Sequence, residues 1–307
     1  MNFSIHLMKL LVVACFALAT QPASAVRPVE EEIFNAPMPH ESLGPGEKVR
    51  VHYTSVRSHL EPTEIGATLS ALKQDVATCV KTLGKGKKAN PPTAWPEDGM
   101  FEVRLDTYYA VNRSVTYSTG VGFWVKADDC SLYEIRKSKV GLLSNKGRCV
   151  IDIDRKTAKG VCDDKAHANA PLDESVPTSP GADEAVIKKM LANPATAPMA
   201  AALQKGMTMM AVKTGQKKKV HDIECEVVVS GPGHPIKATY CISRAGSFVP
   251  SAGASGYGYP GVVLEGKNFG NTVWKTQQVK LDVDVNEKVF APYLQGGFTI
   301  ENRKGFK

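Results

Sequence analysis

The sequence predicts an α+β fold in which antiparallel strands predominate, accompanied by an N-terminal amphipathic helix and a central helical insert. Three patterns support this prediction. Alternating apolar and polar residues recur from residue 101 onward, as in strands that bury one face. Residues 63–83 repeat apolar side chains at three- and four-residue spacing, which is typical of a helix. Residues 223–242 contain two β-branched runs around a Gly/Pro loop, which indicates a β-hairpin.

The first residues have the pattern of a signal peptide. An apolar run follows Lys9 and ends at residues 23–25, Ala-Ser-Ala, so we expect cleavage after Ala25. Cys15 permits a second interpretation, because residues 12–15 resemble the lipobox of bacterial lipoproteins and would give a lipid-anchored protein. The apolar run before Cys15 is only five residues long, which favours cleavage. No later segment predicts a membrane span, so we expect a periplasmic or secreted protein.

Residues 26–61 are predicted to be an extended or disordered segment, because glutamate and proline are concentrated in its first part, with a short strand near Val51. The rest, residues 62–307, is predicted to be one β-rich domain that contains disulfides. Its first element is a helix, since Pro62 and Gly84 supply start and stop signals on either side of residues 63–83. We expect this helix to pack one face on a sheet. The apolar positions of that face are Ile65, Leu69, Leu72, Val76, Val80 and Leu83.

Two antiparallel meanders are predicted, one within residues 101–162 and one within residues 207–285. Between them, residues 182–205 form the predicted helical insert, which prolines split into two short pieces. Short helices are marginal alone, so we expect the insert to lie over the sheet as a mobile lid; a static core element is the alternative. The candidate ligand contacts, in the lid and in a later loop, are Met190, Leu191, Met199, Leu203, Tyr257 and Tyr259.

Six cysteines remain after the predicted cleavage, an even number that is typical of a disulfide framework in an oxidising compartment. Cys225 and Cys241 are equally distant from Gly233 in the loop of the predicted hairpin. Strand pairing would therefore place them directly opposite each other, with Cβ atoms about 4.5–5.5 Å apart and within reach of a disulfide.

The other four cysteines allow more than one pairing. Cys149 and Cys162 flank a second predicted hairpin, whose turn lies near residues 155–156, and we expect them to pair in the same way. Cys79 is then left for Cys130. No turn fixes this third pair, and a bridge between Cys130 and Cys149 is the alternative.

The sequence contains no motif of a catalytic, metal or cofactor site. Residues 256–261 match G-x-G-x-x-G, but they contain a proline and precede a strand, so they offer no helix N-terminus to a phosphate. His221 and His234 lack the spacing of metal ligands. The net charge of +7 comes partly from lysine runs without interleaved aromatic residues, which argues against nucleic-acid binding. We therefore expect no enzyme chemistry, no cofactor and no metal.

The predicted order of elements is helix, meander, helical insert and second meander, and the last strand, Val279–Val285, runs into Phe290-Ala291-Pro292. In this order the chain resembles the periplasmic lipoprotein-carrier proteins over residues 62–293. That family has an unclosed β half-barrel, lined by apolar side chains and covered by helices, which shelters an acyl chain. We therefore predict an antiparallel β half-barrel or sandwich. The resemblance transfers no functional residue to this chain.

The predicted function is that of an exported, non-enzymatic protein that shelters an apolar ligand, such as a lipid or an acyl chain, or another envelope component. A concave apolar sheet would bind such a ligand by removing its surface from water, at about 25 cal/mol per Å². The alternative is a protein–protein interaction without a small ligand, as in an inhibitor or an assembly factor, through an exposed sheet face or edge.

Overall fold

The computed structural model describes residues 28–96, 102–172, 192, 211–230, 238–256, 258–267 and 272–302. Its helices there are α1 (Pro28–Asn35), α2 (Pro62–Thr82), α3 (Asp164–Ala168) and α4 (Ala252–Ser255), with 3₁₀ turns at Pro39–Ser42, Glu287–Phe290 and Pro292–Gln295. Its strands are β1 (Lys48–Leu60), β2 (Val103–Tyr109), β3 (Arg113–Val125), β4 (Leu132–Ser144), β5 (Gly147–Asp152), β6 (Thr157–Gly160), β7 (Ala211–Val220), β8 (Ile223–Ser230), β9 (Ala238–Ser243), β10 (Val262–Lys267), β11 (Thr272–Asn286) and β12 (Thr299–Asn302).

The described residues are mostly strand and the twelve strands form one continuous sheet, so the predicted α+β fold, a half-barrel or sandwich with a central helical insert, is wrong. The spatial order is β12-β6-β5-β4-β3-β2-β1-β11-β10-β9-β8-β7. Strand β1 pairs with β2 on one side and with β11 on the other. It therefore joins the two predicted meanders edge to edge. A sandwich would stack them face to face instead. The predicted insert, residues 182–205, lies outside the described residues except for residue 192.

The central strand β1 comes from the segment that the sequence places in the extended or disordered region. Residues 51–56 are all buried, because elements cover both faces of this strand, so burial does not follow the apolar–polar alternation of residues 49–54. Its buried histidine is hydrogen-bonded through both ring nitrogens. The His52 ring donates a hydrogen bond from Nε2 to the carbonyl of Phe248 (2.9 Å) and accepts one at Nδ1 from the backbone N–H of Asp282 (3.1 Å).

The main hydrophobic core lies against strands β1 to β6 and contains a cluster of aromatic rings. The rings of Tyr53 and Tyr108, both fully buried, lie 5.0 Å apart between centroids. The Tyr53 hydroxyl donates to the Asp106 carboxylate (2.6 Å), which also pairs with the Arg104 guanidinium (2.8 Å). Because each buried polar group has a partner, this cluster stabilises the core rather than offering a free reactive group.

Three disulfides connect the pairs that the sequence predicts, and the Cys130–Cys149 alternative is excluded. The bridges are Cys79–Cys130, Cys149–Cys162 and Cys225–Cys241, with Cα–Cα distances of 5.7, 4.9 and 5.4 Å. The expected direct opposition in the two hairpins is wrong, however. Cys241 lies opposite Val227 and Cys149 lies opposite Gly160, so each hairpin bridge joins diagonal neighbours two residues out of register. A disulfide can span such a diagonal because its Cα–Cα range extends to about 6.8 Å.

The predicted amphipathic helix is present as α2, which packs on the sheet near β3. Leu72 and Val76, four residues apart, are its buried apolar side chains. Both ends of α2 are fastened. Glu61, just before the helix, pairs with Lys267 of β10 at 2.7 Å, and the Cys79–Cys130 bridge ties its last turns to the loop between β3 and β4. No helix among the described residues is long and apolar enough to cross a membrane.

Candidate functional site

A groove lies between α2 and the sheet, with a volume of about 690 Å³. This volume is within the range of about 300–1,000 Å³ that is usual for small-molecule sites. We call it the α2–sheet groove. Its lining residues are Thr68, Ala71, Leu72 and Asp75 of α2, Val103 of β2, residues 118 and 120–125 of β3, and Ile135, Lys137 and Lys139 of β4.

Glycines in β3 shape the floor of the groove. Gly120 pairs with Val103 of β2 on one side and with Lys137 of β4 on the other, and residues that pair directly share a face of the sheet. Gly122, two residues on, therefore lies on this face together with its partner Ile135. A Cβ at Gly120 would meet the Val103 side chain at 2.9 Å, so Gly120 and Val103 together form the floor on the β2 side.

Aromatic side chains mark the end of the groove near the β3–β4 loop. Trp124 is 51% exposed, although large apolar side chains are usually buried. The Lys137 ammonium lies 4.5 Å from the centroid of the Trp124 ring, within cation–π distance. Tyr133, which pairs with Trp124 across the strands, is also exposed. An exposed aromatic pair beside an apolar groove is typical of a binding surface.

A few polar groups border the groove. Lys137 and Lys139 are exposed on β4, and neither forms an ion pair with a carboxylate of the described residues. Ser118 pairs directly with Lys139, so its hydroxyl shares the same face. Asp75 contributes a carboxylate from α2. An apolar surface with a small number of convergent polar groups is the usual composition of a ligand site.

Only one of the six predicted ligand contacts, Tyr259, is among the described residues. Met190, Leu191, Met199, Leu203 and Tyr257 lie outside the described residues.

Tyr259 is described, and it is buried in a small separate core with Tyr240 and Val263. Its hydroxyl donates to Glu226 at 3.4 Å. Tyr259 is therefore a packing residue of the β8–β10 region and not a residue of the groove. One sequence signal did indicate the groove, because glycines inside a strand often mark a site where another group approaches the backbone.

A serine–histidine contact occurs outside the groove. The fully buried His167 of α3 accepts a hydrogen bond at Nδ1 from the Ser144 hydroxyl (2.7 Å) and donates from Nε2 to the Val161 carbonyl (2.6 Å). Burial lowers the pKa of His167 below its usual value, which keeps the ring neutral. Both side chains are buried, and the second ring nitrogen faces a carbonyl instead of the carboxylate of a catalytic triad. The contact therefore fixes α3 against the β4–β5 turn.

Of the two histidines that the sequence singles out, only His221 is described. His221 lies in the two-residue turn between β7 and β8 with a φ of 47°, and its Nε2 donates to the carbonyl of Thr276 (3.0 Å). His234 lies outside the described residues. Within the described part of the chain, no group of three or more His, Cys, Asp or Glu side chains could hold a metal ion.

Comparisons with known proteins assign no family. No protein-family model matches the chain, and no curated protein matches it. A solved structure of PNGF-II is similar over 83% of this chain and 31% of that chain, at 9% sequence identity and a TM-score of 0.29. The chain thus spans about a third of the length of that protein. At this TM-score the likeness defines neither a shared fold nor a shared function.

Proposed function

We propose that this chain is an exported, non-enzymatic protein that binds an apolar ligand in the α2–sheet groove. The observation that carries the proposal is the groove itself: ligand-sized, floored by Gly120 and Gly122, and flanked by the exposed ring of Trp124. The three disulfides fit an exported protein, since such bonds persist in oxidising compartments.

Binding would follow from burial of apolar surface. Each methylene group that a ligand moves from water into the groove contributes about 0.8 kcal/mol. The wall is preformed, because the Glu61–Lys267 ion pair and the Cys79–Cys130 bridge hold both ends of α2. A preformed wall reduces the ordering cost that a ligand would otherwise have to offset.

The alternative function, a protein interaction through a sheet edge, has less support at β7. Three lysines of this edge strand form ion pairs: Lys213–Glu226 at 3.0 Å, Lys217–Glu224 at 2.8 Å and Lys218–Glu265 at 2.6 Å. Lysines along an edge strand discourage the addition of a further strand. The groove therefore has better support than this edge as the site of function.

A neutral apolar fluorophore, N-phenyl-1-naphthylamine, tests the proposal on the delipidated protein. Ala71 lines the groove, so Ala71→Phe should fill part of it and weaken probe binding by about tenfold, equivalent to about 1.4 kcal/mol. Ala77→Phe is the matched control, because Ala77 lies on the same helix, is exposed and does not line the groove. The control should bind the probe like the wild type.

Two results would overturn the proposal. One is the absence of saturable probe binding by the wild-type protein. The other is an equal effect of the two phenylalanine substitutions, which would place the bound probe elsewhere on the molecule. Circular dichroism of both variants checks that α2 is intact.

A further inference from the structure

The lining of the α2–sheet groove extends along β3. The pair Val125–Leu132 lies next to the loop that carries Cys130, and the pair Ser118–Lys139 lies seven residues away along the strand. At about 3.3 Å per residue, this part of β3 is about 23 Å long. The lining is therefore elongated, which suits a chain better than a compact ligand.

The positive charge lies on the side of the sheet and the negative charge on the helix. Lys137 and Lys139 project from β4 on the same face as Ser118, with Lys139 directly opposite Ser118 and the Lys137 ammonium directed towards the Trp124 ring. Asp75 lies one turn before Cys79, whose bridge leads to the β3–β4 loop, so it belongs to the opposite end from Ser118 and Lys139. The Ser118 end of the groove thus has the Lys139 cation and a hydroxyl donor, and the Lys137 cation lies farther along the groove.

We propose that the ligand is an anionic amphiphile, with a single apolar chain and a carboxylate or similar head group. This inference rests on the proposed function and names its ligand class. The chain lies along residues 120–124 beneath α2, and the head group contacts Lys139 and the Ser118 hydroxyl, while Lys137 adds positive charge along the groove.

Because the two lysines are exposed, the desolvation penalty of binding a head group is small. Both ammonium groups are at the surface, so neither they nor the head group has to lose all of its water. Because neither lysine has a carboxylate partner among the described residues, the head group displaces no existing ion pair. The Trp124 ring holds the Lys137 ammonium within cation–π distance, so this lysine adds its charge to the groove without contacting a carboxylate of the described residues.

Three probes with the same chain and different head groups test the inference: dodecanoate, dodecanol and dodecyltrimethylammonium, each below its micelle concentration at pH 7. Isothermal titration calorimetry on the delipidated full chain measures each Kd. We expect dodecanoate to bind about fivefold more tightly than dodecanol, since an exposed charge contact with Lys139 and the nearby charge of Lys137 each have a modest effect. Dodecyltrimethylammonium should bind more weakly than dodecanol, and added salt should reduce the difference between the three.

The double variant Lys137→Gln, Lys139→Gln should bind dodecanoate and dodecanol with equal affinity, while its Kd for dodecanol stays within about twofold of the wild-type value. The matched control is Lys146→Gln, Lys165→Gln, which removes the same charge at exposed positions outside the groove and should keep the preference. Equal binding of dodecanoate and dodecanol by the wild type would overturn the inference and leave the proposed function standing. Failure of all three probes to bind would overturn the proposed function as well.

Discussion

In its first half, residues 113–117, β3 is covered on both faces, whereas in its second half, residues 118–125, one face borders the open groove beneath α2. Val115 is fully buried in the main core, and on the other face the Ser114 hydroxyl donates to the carbonyl of Ala254 in α4 (2.6 Å). Farther along the strand, Val121 is buried but Trp124 is half exposed. One strand therefore combines a structural half and a binding half.

The two halves of β3 also differ in how the neighbouring charged side chains are paired. Arg113, at the start of β3, is buried, and its guanidinium contacts Asp164 and Glu287, each at 2.6 Å, and lies 4.4 Å above the ring of Phe290. A buried charge needs such partners to offset its loss of water. Beside the second half of the strand, Lys137 remains exposed and without a carboxylate partner among the described residues. The packed half satisfies its charges internally, and the groove half leaves them to solvent or a ligand.

The largest expected effect tests whether the two halves differ in stability. Phe290→Ala should lower the free energy of unfolding by about 3–5 kcal/mol, because this fully buried ring packs in the main core and under the Arg113 guanidinium. Trp124→Ala should lower it by less than about 1 kcal/mol, since its ring is half exposed. Urea denaturation followed by circular dichroism measures both. Similar losses would mean that the exposed half is as tightly packed as the covered one.

The disulfides allow the groove half of the molecule to be perturbed separately from the packed half. Cys79→Ser with Cys130→Ser should lower the free energy of unfolding by about 2–4 kcal/mol and also weaken binding of the naphthylamine probe, because α2 loses the tether of its last turns. Cys149→Ser with Cys162→Ser should lower stability without changing the affinity of the folded protein, since that bridge lies outside the groove. Probe affinity that is insensitive to both changes would show that the α2 tether does not shape the site.

The smallest expected effect is on the pH dependence of stability, and it should arise from the packed half. Burial lowers the pKa of His167, so below about pH 6.5 the unfolded chain binds more protons than the folded one. Stability should therefore fall as the pH falls from 7 to 5, with a slope from this residue of at most about 1.4 kcal/mol per pH unit.

The difference between wild type and His167→Gln isolates that slope from other histidines. Burial also lowers the pKa of His40 and of His59, so these residues contribute to the pH dependence of both proteins. Urea midpoints measured at several pH values should show a flatter dependence for the variant. An unchanged slope would mean that His167 binds its proton in the folded protein as readily as in the unfolded chain.

Local patterns predicted the elements and the crosslinks well. Helix α2 lies at residues 62–82 where the spacing of apolar side chains indicated residues 63–83. The hairpin positions indicated two of the three disulfide pairs and left Cys79–Cys130 as the favoured third, with Cys130–Cys149 as the alternative, but they did not predict the diagonal register. That register depends on where each turn closes, as Val227 opposite Cys241 shows, and a shift of one residue in the turn is not visible in strand composition.

The arrangement of the elements could not be predicted in this way. β1 pairs with β11 across the length of the chain, and its buried residues include His52 and Thr54, which give no apolar signal. The groove depends on α2 lying over one half of β3, a tertiary contact that no local spacing determines. Only Gly120 and Gly122, inside an otherwise alternating run, indicated that something approaches the strand there.

The position of β1 has a consequence for the order in which the protein can be made. Lys48 pairs with Asn286 and Leu60 with Thr272, so one edge of β1 stays open until almost all of the chain has been synthesised. During that time β1 has β2 as its only strand neighbour, and Val51 and Tyr53 lack part of the cover they have in the finished sheet. A nascent chain released before β11 would present an unpaired edge along its most buried strand, the situation that favours aggregation over folding.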